Sequence, residues 1–183
     1  MNVIIKNIYI FIVRDIVGSM RLIPLRFLEN FGQLFPENRF GCKIRGSFYK
    51  PFLKSCGKNF QVGLRVKLQC LDRIEVGNDV YIGDGSWVNG YKDGIILKDE
   101  VMLGPYVTMV AGNHGKIKDS YRFGSGTGGT ITIGVGSWLA AKSTIVAGVS
   151  VGKGVLVAAN TVVTKDVKDN DKIAGIPAKS LIK

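Results

Sequence analysis

Aliphatic residues recur at every sixth position between Ile133 and Lys168. Read in sixes, the stretch is IGVGSW, LAAKST, IVAGVS, VGKGVL, VAANTV and VTKDVK. The first position holds Ile133, Leu139, Ile145, Val151, Val157 and Val163. The fifth holds Ser137, Ser143, Val149, Val155, Thr161 and Val167, all small or β-branched. An amphipathic helix repeats near 3.6 residues and a half-buried strand repeats at two. A period of six predicts a short strand, a corner and the next strand, with three sixes closing one triangular coil. Such a coil buries its apolar face only by stacking on its neighbours.

The same period runs more loosely from Lys58. Leu64, Cys70, Val76, Ile82 and Val88 fall at the first position, and Val62, Leu68, Ile74, Val80 and Ser86 at the fifth. Gly90–Gly94 shifts the frame by three, as a corner insertion would, and the repeat resumes at Leu97, Leu103 and Met109. Gly115–Thr130, rich in Gly, Ser and Lys, breaks it again and reads as a loop thrown out from one corner. Ordered loops of that length are usually functional. The expectation is about five coils of eighteen residues, with parallel pairing between coils satisfying the backbone and open ends that need caps.

Residues 1–35 follow another rule. Ile8, Ile12, Ile16, Met20, Ile23, Phe27 and Phe31 recur at helical spacing, with Pro24 dividing the segment into two helices. The chain thus divides into a helical and irregular cap segment, 1–57, and a repeat domain, 58–183, with the loop at 115–130 and a tail at 169–183.

The net charge of +11 points to an anionic partner. Its cations are spread along the chain without an aromatic-interleaved basic motif, which argues against a nucleic-acid module. Residues 1–54 hold nine Lys/Arg against Asp15, Glu29 and Glu37, a net of +6. The helical segment therefore has two readings: a cap packed on the domain, favoured, or an interfacial contact with an anionic membrane through residues 1–35. Its longest apolar run, Ile8–Val13, is too short to span a bilayer, and it lacks the cleavage site of a signal peptide. Cys42, Cys56 and Cys70 show no CxxC spacing, so a reducing cytoplasm is expected, with the inner membrane face as the alternative.

The repeats IGVGSW, VGNDVY, IGDGSW and VGKGVL resemble those of the hexapeptide-repeat acyltransferases. GPYVTMVAGNHG and VVTKDVKDNDKIAGIPAKSLI are most similar to the sugar and xenobiotic O-acetyltransferase branch. The resemblance covers about 58–183 and implies an all-β fold, a left-handed parallel β-helix. It also implies acetyl-CoA as co-substrate and a homotrimer whose neighbouring coils share three sites. The family's zinc-dependent branch needs several His ligands; one histidine excludes it, and no metal is expected.

His114 is the only histidine. It stands where the last regular coil before the long loop ends, the place of the family's catalytic His. A neutral imidazole there can take a hydroxyl proton as a new ester bond forms. The family often has Pro after this His, where this chain has Gly115. Asp84, Asp93 and Asp119 are the candidates to orient the imidazole. On the acceptor side the resemblance implies Ser86, with Asn89 as a substitute, and Asn113 adjoins the His. For the donor it implies Trp138 beside the groove and Ala141 and Ala159 along a thin pantetheine arm. Thr164, Lys165 and Lys179 would meet phosphate or adenine. The leading expectation is acetyl transfer to a sugar hydroxyl in surface polysaccharide biosynthesis. The alternatives are an N-acetyltransferase on a nucleotide-linked amino sugar and a non-catalytic trimeric scaffold.

Overall fold

A computed structural model describes Met20 and residues 22–182. The apolar helical positions Ile8, Ile12 and Ile16 lie outside the described residues.

Three parallel sheets wrap one apolar axis. Face one stacks Ser55–Cys56, Ile74–Val76, Ile95–Leu97, Ile131–Ile133 and Ser150–Val151. Face two runs through Gln61–Val62, Tyr81–Ile82, Met102–Leu103, Trp138–Leu139, Leu156–Val157 and Lys172–Ala174. Face three holds Lys67–Gln69, Trp87–Asn89, Thr108–Val110, Thr144–Ile145 and Val162–Val163. The chain visits one, two and three in turn, so every connection is a short corner. The result is a left-handed parallel β-helix of about five coils.

The first positions form continuous inward columns. Val62, Ile82, Leu103, Leu139, Val157 and Ile173 align on face two; Leu68, Val88, Met109, Ile145 and Val163 align on face three. All are buried, so each coil covers the apolar face of the next. The fourth position of most sixes takes left-handed backbone geometry, as at Asn59, Asp79, Glu100, Tyr106, Lys142 and Asn160. Asn and Asp tolerate that region better than other side-chain-bearing residues.

The first coil differs from the sequence frame. Val62 and Leu68, expected at the fifth position, are the inward strand residues, while Leu64 and Cys70 are only partly buried. A single turn of 3₁₀ helix, Leu71–Arg73, inserts two residues before Ile74. Counting sixes backward through that insertion displaces the frame by two. The stack also runs past Lys168. Val167 bridges to Val151, Lys172–Ala174 extends face two, and Lys179–Ser180 folds back antiparallel against it.

Two helices close the other end, α1 (Ile23–Gly32) and α2 (Arg39–Tyr49). Asn38 caps α2 by accepting from the Gly41 N–H at 2.9 Å. Gly46 brings α2 so close to the Phe60 carbonyl that a side chain there would collide with it. The buried Arg45 guanidinium donates to Val62 O (2.8 Å), Phe35 O (3.0 Å) and Glu37 Oε2 (2.7 Å). Glu37 Oε2 also accepts from the Leu64 N–H at 3.0 Å. Arg45 Nη1 also donates to Gly32 O at the end of α1, at 3.4 Å, so one ion pair ties both helices to the first coil.

Candidate active site

His114 projects from the stack on a two-stranded hairpin. Gly112–Ile117 continues from face three and pairs antiparallel with Ser120–Gly128. The segment expected as a loop, 115–130, is therefore mostly strand. Its glycines explain the difference. The backbones at Gly115 and Gly124 cross so closely that a Cβ on either would strike the Ser125 or Gly115 carbonyl. A composition that reads as loop is here what permits the crossing.

Asn113 pairs with Thr127 and Gly115 with Gly124, so the register shifts at His114. Such bulges re-aim a side chain. His114 is exposed, as is Asn113. Below it, the hairpin root rests on the corner insertion: Gly112 lies against the Tyr91 ring and Gly128 against Lys92 and Asp93. The three candidate carboxylates part company. Asp84 is held by Arg65 at a different corner. Asp119 is at the hairpin turn, 3.7 Å from Lys116. Asp93 alone shares the hairpin root.

Ser86 does not face a substrate. It is fully buried; its hydroxyl donates to Gly104 O and accepts from the Val107 N–H, both at 3.1 Å. Ser137 makes the same bridge between Gly152 O and the Val155 N–H. The fifth position points inward, so Ser86 and Ser137 join coils rather than bind ligand. The assignment of Ser86 to the acceptor is corrected on that ground.

Asn89 does face outward, on face three. Its neighbours make a polar and aromatic surface that sequence reading missed. Trp87 Nε1 donates to Gln69 Oε1 at 2.9 Å, and Asn89 Nδ2 donates to the same oxygen at 3.3 Å. Asn89 Oδ1 accepts from the Tyr91 N–H at 3.0 Å. Lys67 Nζ stands 5.9 Å from the Trp87 ring centre. Asn89 is aligned with Val110, four residues before His114. The signal was present in Gln69 and Asn89, but they are twenty residues apart, and an eighteen-residue count separates them.

The residues expected to hold the donor fall into two groups. Trp138, half exposed, lies on the outer side of face two. Ala141 and Ala159 occupy equivalent corners on adjacent coils, as the pairing of Leu139 with Val157 requires. The parallel column through Ala158 continues to Ala174, which pairs with Lys179. Small side chains therefore leave the backbone open along one edge, ending at a lysine. Thr164 and Lys165 lie past the last strand of face three, around the next corner. There a cleft of about 380 Å³ is lined by Lys165, Lys168, Asp171 and Ser180. Ala178 and Ser180, on either side of Lys179, line the same cleft, and the Ala178 N–H donates to Val162 O at 2.9 Å, so the lysine end of the alanine edge lies beside it. Each part suits its share of a long ligand, a thin channel for an extended arm and cations for phosphate.

Burial pushes the thiols of Cys42, Cys56 and Cys70 up, so none is primed as a thiolate nucleophile. All three are free. Among the described residues no cluster of three or more His, Cys, Asp or Glu is placed to hold a metal ion.

No family model matches the chain. It is 28% identical over 159 residues to WbbJ of Escherichia coli K12, assigned by name to lipopolysaccharide biosynthesis O-acetyl transfer; the match covers 79% of this chain and 77% of that one. It is 27% identical over 154 residues to a galactoside O-acetyltransferase of Lactococcus lactis, covering 84% of this chain and 66% of the relative. Among solved structures, a galactoside acetyltransferase in complex with coenzyme A superposes with a TM-score of 0.73 at 22% identity, over 90% of this chain and 81% of that one.

Proposed function

We propose that this chain, a member of the hexapeptide-repeat acetyltransferase family, is an acetyl-CoA-dependent O-acetyltransferase that acts on a saccharide hydroxyl with His114 as general base. One observation carries the reading. The only histidine is exposed in a bulge at the root of a projecting hairpin, in a chain similar to proteins named as O-acetyltransferases. Its exposure leaves the imidazole open to an incoming hydroxyl.

Acetyl-CoA supplies a thioester-activated acetyl group. Ala141, Ala159 and Trp138 would line its extended arm, and Lys165, Lys179 and Thr164 would meet its phosphate-bearing end. Trp87 offers an apolar ring face to a sugar, and the Gln69 and Asn89 amides can orient its hydroxyls. Asn113, beside the base, is placed to contact the same sugar. Neutral His114 takes the hydroxyl proton as the sugar oxygen bonds to the acetyl carbon. The carbon–sulfur bond then breaks and His114 returns the proton to the departing sulfur, leaving an acetyl ester and a free thiol.

A cyclic homotrimer fits this reading, because Trp138 and Ala159 are exposed along the edge of one chain and a neighbouring copy can cover that edge to close a groove. The resemblance to WbbJ favours an acceptor from surface polysaccharide synthesis, made in the cytoplasm where acetyl-CoA is available.

Thiol release from acetyl-CoA tests the reading, measured with neutral sugars, amino sugars and nucleotide-linked amino sugars. Hydroxyl acceptors should react and yield alkali-labile esters. Release only with amino acceptors, yielding stable amides, would replace it with N-acetyl transfer. No release with any acceptor, despite acetyl-CoA binding, would favour the scaffold.

A further inference from the structure

The helical end of the molecule carries an apolar surface that the β-helix does not use. Leu25 and Gly32 turn α1 inward. On its other side Phe27 is 72% exposed, Phe31 53% and, just beyond the helix, Leu34 78%; Phe40 on α2 is 64% exposed. These form one patch. The Phe31 ring packs edge-on to Phe35 at 5.4 Å between centres, and Phe35 meets Phe40 at 6.4 Å. Single exposed apolar residues are ordinary, but a contiguous aromatic patch marks an interaction surface.

The charges beside it identify the partner. Phe40 shares the exposed stripe of α2 with Arg39, Lys43 and Ser47, and Lys50 follows at the helix C-cap, its ammonium donating to Gly57 O at 3.3 Å. Lys43, Ser47 and Lys50 line a cleft of about 300 Å³ against Gly57 and Asn59. Arg39, Lys43 and Lys50 pair with no carboxylate among the described residues, whereas Arg26 and Arg45 are engaged by Glu29 and Glu37. Two copies of this face would oppose like charges, which disfavours self-association. Among the described residues no helix is long and apolar enough to cross a membrane. Aromatic anchors flanked by cations are what a helix lying in the headgroup layer of an anionic bilayer requires.

We propose that Phe27, Phe31, Leu34 and Phe40, with Arg39, Lys43 and Lys50, form a docking face for an anionic lipid surface. Phe27 and Leu34 enter the acyl boundary, and Arg39, Lys43 and Lys50 meet lipid phosphates. The proposal stands apart from acetyl transfer, because binding can occur whether or not His114 is a base.

The test is flotation of the full chain with vesicles of phosphatidylcholine alone or mixed with phosphatidylglycerol. The protein should float only with the anionic vesicles, and added salt should release it. Phe27→Ser with Leu34→Ser should lower the partition coefficient by about tenfold or more, and Arg39→Glu with Lys43→Glu by about as much. Melting temperature and oligomeric mass should stay unchanged in both, since the altered side chains are exposed. Absence of flotation, equal binding to neutral vesicles, or undiminished binding by either double variant would each overturn the proposal. A fall in oligomeric mass of the Phe27→Ser/Leu34→Ser variant would also overturn it, in favour of a second copy as the occupant.

Discussion

Replacing Ser86 by Ala separates a structural hydroxyl from a substrate contact. The side chain is fully buried and bridges two coils, taking the Val107 N–H and giving its proton to Gly104 O, each at 3.1 Å. Alanine removes both bonds without making room for water. A buried N–H left unpaired costs about 1–3 kcal/mol, and the orphaned carbonyl adds a smaller amount. The sum is about 2–4 kcal/mol. For a chain of this length, each kcal/mol moves the melting temperature by about 2–4 °C. Calorimetry should therefore show a fall of about 5–15 °C, and Ser137→Ala, with the same bridge, should behave alike. KM for the acceptor should not change in folded Ser86→Ala protein. Asn89→Ala should do the reverse, raising KM for the acceptor with little loss of stability. A Ser86→Ala enzyme that melts as the wild type and has a raised acceptor KM would refute the inward assignment of the fifth position.

His114→Ala should lower kcat by about a hundredfold or more while leaving acetyl-CoA affinity and melting temperature in place; near-wild-type turnover would remove His114 as the base. Gly124→Val should displace the hairpin, because a side chain there meets the Gly115 carbonyl, and should cut kcat with only a small change in melting temperature. Burial, followed by Glu29, pushes the Tyr49 phenol well above its ordinary range. Its folded form therefore holds a proton that the unfolded chain releases above about pH 10, and stability should fall as pH rises beyond that point. Tyr49→Phe should flatten this alkaline decline in urea unfolding; an unchanged slope would count against it.

The stacking frame was legible in the sequence from Val76 onward because the repeat is enforced locally. Each coil must bury its own aliphatic residue at the same place, or the column through Ile82, Leu103, Leu139 and Val157 is broken. The lone histidine at a break in the period was visible for the same reason. The first coil was not, since Leu71–Arg73 adds two residues at a corner. A corner insertion costs the fold little, and it erases the count. The hairpin was hidden because its glycines signal a loop until one sees two backbones crossing at Gly115 and Gly124. Direction of side chains was decided by tertiary structure as well. Ser86 and Asn89 are three residues apart and equally polar in sequence, but the pleat and corner send one into the core and the other outward beside Trp87 and Gln69. A periodic chain specifies its own strands. Which residues from separate coils meet on one surface depends on the length of every corner between them, and only the folded stack fixes those lengths together.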